Sequence, residues 1–243
     1  MTLARFYCPL PLPVDGRIEL PNAQAHHAVR VLRLKAGDAV VLFNGQGGEV
    51  PGTIAQLQGN RVTVALQTPH AIERESNVAV TLIQALTSAD KMDLVIQKAV
   101  ELGVTRIVPV VTERSVVRLS GARAQKRLAH WQGVVIAACE QCGRNHLPKV
   151  AGLAPLRERL VEVQHAAARW VLLPGAGQSL RGLARPDGEI ALLVGAEGGF
   201  TAAEQNAART QGFVPVQLGS RVLRTETAGL AALAAIQALW GDF

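Results

Sequence analysis

The chain has 243 residues, 49% of them hydrophobic and 18% charged, with a formal net charge of +6. These proportions exclude a disordered or collagen-like chain and leave room for one large or two small domains around a buried core. A pI near 9.8 favours a polyanionic partner, and three cysteines, an odd number, argue against a disulfide framework.

The first ~70 residues read as a small β domain. Arg17-Ile18-Glu19-Leu20 alternates polar and apolar, and Ala39 to Asn44 reads as a strand after the turn Lys35 to Asp38. Gly48 to Leu57 and Arg61 to Gln67 predict a hairpin across Gln58-Gly59-Asn60, and Ala25 to Leu32 one short helix. The opening residues lack the long apolar core of a signal peptide, so a cytoplasmic protein is expected. A polar stretch with a proline, Thr68 to Ser76, suggests a division into domains 1–72 and 73–243.

The second part opens with a strand, Val78 to Leu86, and a helix from about Asp90 to Leu102. Met92, Val95, Ile96 and Ala99 keep helical spacing and should face the core, with Gln97, Lys98 and Glu101 on the other side. Arg106 to Val110 is the next strand. Five basic residues without an acid follow, Arg114, Arg118, Arg123, Lys126 and Arg127, which suit either a solvated face or a phosphate-binding patch. A long helix from about Ala122 sets Leu128, Trp131, Val135 and Ala138 on one face. Cys139 and Cys142 form a C-x-x-C inside that helical pattern without a second pair, so no metal site is expected. Arg169 to Leu173 is a strand ended by Pro174 to Gly177.

Ile190 to Val194 is an apolar run of the kind a strand buried on both faces needs. Gly195-Ala196-Glu197-Gly198-Gly199-Phe200 follows, and then Thr201 and Glu204, spaced as a capping box for a helix from Ala202 to about Gln211. A second buried strand, Val214 to Leu218, leads through Gly219 to Arg224 into a last helix, with Thr225 as its cap and Glu226 in its first turn. From Glu226 to Leu239 that helix is apolar nearly all round and needs cover on most sides. Its longest apolar stretch is too short to span a bilayer. Two loops should thus leave the carboxyl ends of adjacent parallel strands, where open α/β sheets bind ligands; the glycines serve such a ligand or are only turns. No P-loop, H-E-x-x-H or G-x-S-x-G is present, and Gly195 to Phe200 is not the G-x-G-x-x-G of nicotinamide enzymes.

Gly195 to Phe200, taken with Leu218 to Ala228, resembles the paired C-terminal motifs of the SPOUT methyltransferases, and within them the RsmE family of 16S ribosomal RNA uridine-N3 methyltransferases. Gln97 to Gly103 is similar to that family's Q-K-x-x-E-L-G motif, and Glu140 to Arg144, with Pro148, to its E-Q-x-x-R segment. Two positions depart from the pattern: Ala196 stands where proline is usual, and Cys142 where serine is common. The resemblance implies an α/β fold, a parallel sheet with a C-terminal deep trefoil knot, preceded by a PUA-like β-barrel that binds RNA. It implies S-adenosylmethionine held by Leu173, Pro174 and Gly175, by Gly195, Glu197, Gly198 and Gly199, and by Leu218, Gly219, Val222, Leu223 and Thr225. Arg224 would stabilise the uridine N3 anion, with Glu226 or Glu197 as proton acceptor. Arg5, Arg30, Arg33, Lys98, Arg114, Arg118, Arg123, Gln141 and Arg144 are the candidate RNA contacts. The implied partners are 16S ribosomal RNA, within the small ribosomal subunit, and a second copy of the chain, whose active site Arg144 would reach; no metal is implied. The alternatives are ribose 2′-O-methylation by another SPOUT activity and RNA binding without catalysis.

Overall fold

A computed structural model describes residues 3–243. They form two compact units. The first comprises residues 3–75 together with Cys139–Leu147, and the second Ser76–Ala138 with Pro148–Phe243. The return of Cys139–Leu147 to the first unit has no counterpart in the sequence-based division at 72.

The first unit is built on five strands, β1 (Ala4–Tyr7), β2 (Arg17–Glu19), β3 (Ala39–Phe43), β4 (Val50–Gln58) and β5 (Arg61–Leu66), in the order β1-β3-β4-β5-β2. Only β1 and β3 run parallel. Alternation places Val62, Val64 and Leu66 inward from β5, against Phe6, Leu42 and Ile54. The hairpin of β4 and β5 turns at Gly59, whose φ of 61° lies in the left-handed region that glycine enters without strain. The short helix begins earlier than its periodicity suggested, as α1 (Asn22–His26), and continues as a π-helical turn, His27–Val31.

The returning segment is a clasp. Glu140 accepts the Tyr7 backbone N–H at 2.9 Å, and Asn145 donates to the Ile72 carbonyl at 2.6 Å. Arg144, 5% exposed, is bonded to both carboxylate oxygens of Glu75, so in this chain its guanidinium is occupied within the first unit. Arg5 is occupied in the same way: it is 9% exposed, bonded to Glu49 and Asn145 at 2.6 Å each, and lies over the Phe43 ring. The Cys139 thiol in this segment is pushed up to about 12 by burial, which leaves it a packing residue and not a nucleophile.

The second unit is a seven-stranded parallel sheet with the main order β12-β10-β11-β6-β7-β8 and β9 also paired to β7. The strands are β6 (Val80–Ala85), β7 (Arg106–Val111), β8 (Lys149–Val150), β9 (Ala154–Pro155), β10 (Ala168–Leu172), β11 (Ile190–Val194) and β12 (Val214–Val216). β6 and β11 are buried at every residue, as central strands covered on both faces must be. One face packs Ile83, Val108, Val171 and Leu193 against α4 (Leu156–Glu162), through Leu156 and Leu160, and against α5 (Ala202–Thr210), through Ala208. The other carries α6 (Thr225–Trp240) and α2 (Ala89–Glu101), which pack on each other. α6 packs closely on the sheet at Gly229, where a Cβ would make ordinary contact, 3.4–3.5 Å, with Gln84, Val194 and Leu82. Met92, Val95, Ile96 and Ala99 of α2 are buried as their spacing requires, and Gly103, at φ 79°, stops the helix. A 22-residue helix, α3 (Gly121–Cys142), buries Trp131, Val135 and Ala138 along one side.

β10 lies between β11 and β12, so the two glycine-bearing loops do not leave neighbouring strands. All three strands are parallel, however, and their carboxyl ends share one edge of the sheet.

Candidate active site

Three loops meet at that edge, one after each of β10, β11 and β12, with the first turn of α6 beside them. They enclose a cavity of about 320 Å³, within the range of small-molecule sites and placed where parallel α/β sheets bind ligands. Leu173 and Pro174 come from the first loop, Gly195, Glu197 and Gly199 from the second, Leu218, Gly219, Val222 and Leu223 from the third, and Thr225 from the first turn of α6. Arg224 and Glu226 also line it. Gly175 and Gly198 do not. Gly198 faces Arg114 instead: its carbonyl accepts from Nη1 at 2.9 Å, and a Cβ there would lie 3.0 Å from the arginine Cβ.

The glycines do different work. Gly199 and Gly219 adopt positive φ, 67° and 77°, which other residues rarely tolerate. Gly195 does not; it provides room, since a Cβ there would sit 3.1 Å from the Phe200 ring, another wall of the cavity. The helix behind the glycine loop starts as its sequence requires. Thr201 and Glu204 form the full capping box of α5, and the Glu204 carboxylate also takes the Glu113 backbone N–H at 2.9 Å. That bond ties the segment bearing Arg114 to the glycine loop.

Thr225 does not cap α6. Arg224 occupies the N-cap position, without a side-chain cap bond, and Thr225 is the first helical residue. Its hydroxyl instead donates to the Gly195 carbonyl and accepts from Gln84 Nε2 at 3.1 Å. Gln84 is buried, and a buried polar group without a partner costs more than an unused cap at a solvated helix end. Thr225 thereby joins the second loop to the start of α6, and Gln84, fully buried at the carboxyl end of β6, holds Thr225 from beneath. Sequence reasoning passed over it, although a glutamine in an otherwise apolar strand is a signal of a polar link. It also passed over Lys91, whose Nζ lies 3.2 Å from Glu197 and 3.5 Å from Glu226 and bridges the two acids of the cavity. Phe200, Val216 and Gln217 are among the cavity-lining residues that were also passed over.

The remaining RNA candidates are unevenly available. Arg118, Arg123, Arg30, Arg33 and Gln141 are exposed. Lys98 pairs with Glu101 at 2.8 Å, and Arg114 braces the glycine loop. If the run is a phosphate-binding patch, neutralising Arg118, Arg123 and Lys126 together should weaken binding to single-stranded RNA and lower the slope of log affinity against log salt by about 2. Filter binding across a salt series measures this, and an unchanged slope would identify the run as a solvated face. Among the described residues no group of three or more His, Cys, Asp or Glu is placed to hold a metal ion, and no helix is long and apolar enough to cross a membrane.

Comparison with known proteins matches this arrangement over nearly the whole chain. The RNA methyltransferase domain family matches residues 74–237, and the RNA methyltransferase PUA domain family residues 20–67. The chain is 31% identical to ribosomal RNA small subunit methyltransferase E of Buchnera aphidicola (subsp. Schizaphis graminum), over 99% of this chain and 98% of that one. It is 36% identical to the Synechocystis protein of the same name, over 93% and 74%. Among solved structures, ribosomal RNA small subunit methyltransferase E from Neisseria gonorrhoeae, bound to S-adenosyl methionine, is 41% identical with a TM-score of 0.93, covering 100% of both chains. A putative methyltransferase of Legionella pneumophila, in complex with the bound cofactor SAM, is 34% identical with a TM-score of 0.95 over 100% of both chains. The chain belongs to the ribosomal RNA small subunit methyltransferase E family.

Proposed function

We propose that this chain transfers a methyl group from S-adenosylmethionine to N3 of a uridine in the 16S ribosomal RNA of the small ribosomal subunit, in the cytoplasm. The observation that carries the reading is the cavity at the carboxyl edge of β10, β11 and β12, in a chain similar end to end to proteins solved with that cofactor. The lining suits the group. Leu173, Val216, Phe200 and Leu223 offer apolar walls, and Gly199 and Gly219 bring backbone donors and acceptors close to whatever lies between them. Leu173, Pro174, Gly195, Gly199, Leu218, Gly219, Val222, Leu223 and Thr225 would hold the cofactor, which when bound supplies an electrophilic methyl group. Arg224, exposed on the cavity rim, would stabilise the anion that forms when the uridine N3 loses its proton. Arginine is no base, so the proton must go to another group.

The exposed basic residues of both units would hold the RNA, with the PUA-like first unit as one part of the surface. A C-terminal deep trefoil knot belongs to the same reading. Mass spectrometry of 16S ribosomal RNA from cells lacking the protein tests it: one uridine should lose its N3 methyl group, and a missing ribose methyl would refute the assignment.

The same reading makes the protein a homodimer. α6 buries only one stripe, Thr225, Gly229, Ala232, Leu233, Ile236 and Gln237. Ala228, Ala231, Ala234 and Ala235 stay half-exposed, and Ala238 and Leu239 exposed, so an apolar face is uncovered beside the cavity, which Ala228 also lines. Light scattering at micromolar concentration should give twice the 25.8 kDa chain mass. A monomer as the sole species would refute the dimer.

A further inference from the structure

We propose that Glu226, through Oε2, removes the proton from the target nitrogen, and that Lys91 is the residue that positions it; this rests on reading the cavity as a methyl-transfer site to a ring nitrogen. The titratable side chains lining the cavity are Glu197, Arg221, Arg224 and Glu226, and only the two acids can accept a proton.

Their surroundings separate them. The Glu197 side chain is 36% exposed, while that of Glu226 is 14% exposed. Oε1 of each faces the Lys91 ammonium, at 3.2 Å and 3.5 Å. The second oxygen of Glu226 is buried and makes no hydrogen bond. Buried carboxylate oxygens are usually bonded; Asp93 Oδ1 and Gln84 Oε1 are likewise unbonded, but of these residues only Glu226 lines the cavity. The bridge has a durable cation at its centre. The hydrogen bond to Glu197, joined by the charge of Glu226, raises the Lys91 ammonium above its ordinary value, with desolvation acting against them. Lys91 thus takes up Oε1 of Glu226 and leaves Oε2 as its acceptor. α2 and the loop after β11 contribute Lys91 and Glu197 around Glu226, and the loop ahead of α6 contributes Arg221 and Arg224.

In the step, the N–H bond breaks and its proton passes to Glu226 Oε2. The electron pair stays on nitrogen, spread onto the flanking carbonyl oxygens beside Arg224. That pair forms the new N–C bond as the S–C pair departs on sulfur, and Glu226 then releases the proton to solvent.

The test uses the full chain with small ribosomal subunits that lack the methyl group, and follows kcat against pH, the position of the new methyl group, and S-adenosylmethionine affinity by calorimetry. Glu226→Gln should bind the cofactor within about threefold of the parent yet lose at least about 100-fold in kcat. Its residual rate should climb about tenfold per pH unit as hydroxide takes over proton removal. Glu197→Gln should lose less and keep the parental pH profile. Lys91→Met, at a partly exposed position that tolerates the change, should lower kcat about tenfold at unchanged cofactor affinity, with Lys91→Arg restoring most of it. The proposal is overturned if Glu226→Gln keeps its rate, if its loss lies wholly in cofactor affinity, or if the steep pH dependence follows Glu197→Gln. Should Glu226→Gln fail to fold, a Lys91→Met protein with parental kcat overturns it equally. Methylation of a ribose oxygen by the parent protein would refute the underlying reading, and this proposal with it. A ring-nitrogen methyl with an undiminished Glu226→Gln rate refutes this proposal alone.

Discussion

Gly195→Val should lose S-adenosylmethionine binding by at least about 100-fold, roughly 2.7 kcal/mol. The added Cβ would sit 3.1–3.4 Å from three atoms of the Phe200 ring, and Phe200 is itself packed in the core at 5% exposure. The ring cannot retreat without disturbing its neighbours, so the valine methyls or the displaced ring must enter the cavity that both residues line. Overpacking of this kind also costs about 1–3 kcal/mol of stability, which a melting curve will register separately. A control should move the other way. Gly133 lies within α3, without positive φ, and a Cβ there would point into open space with nothing within 4 Å. Gly133→Ala should therefore gain about 0.5–1 kcal/mol and keep full affinity. Unchanged calorimetric affinity in Gly195→Val would remove the second loop from the cofactor site.

What could be read from the chain beforehand follows from how far apart the interacting residues lie. The capping box of Thr201 and Glu204, the stop at Gly103 and the buried stripe of α2 depend on residues within a turn or two, and periodicity alone places them. Strand order is a matter of distant pairing, so nothing in the sequence from Ile190 to Leu218 indicates that β10 separates β11 from β12. Thr225 carries the residue type of a helix cap, but its partners are Gly195, 30 residues away, and Gln84, 141 away. The basic residues illustrate the point most directly. A positive charge in a basic protein suggests RNA, yet the acids that claim Arg5 and Arg144 lie 44 and 69 positions distant. Arg118 and Arg123 have no such acid in reach and remain exposed.

Arg5→Leu should destabilise the first unit by about 3–5 kcal/mol at neutral pH, because it breaks a buried ion pair from one side. Glu49, its side chain 7% exposed, collects the guanidinium of Arg5 at 2.6 Å, that of Arg74 at 2.9 Å, and the Asn145 amide at 3.4 Å. Burial alone would raise the Glu49 carboxyl; the hydrogen bonds and charges of Arg74 and Arg5 outweigh it and hold the group at about 2, against 4.5 unperturbed. The folded value is depressed, so the network's contribution is fully present above about 4.5 and is lost as pH falls towards about 2. The two variants at this pair should therefore behave oppositely. Arg5→Leu leaves a buried carboxylate with only Arg74 and the Asn145 amide as partners. Arg5→Leu combined with Glu49→Leu leaves no buried charge and should recover much of the loss, since Arg74, with a side chain 42% exposed, can turn to solvent. Thermal melts of the parent and Arg5→Leu from about pH 7 to about pH 3 should show the gap between them closing as Glu49 takes up its proton. A gap that stays constant across that range would mean that Arg5 stabilises the unit only through its packing on Phe43 and its bond to Asn145.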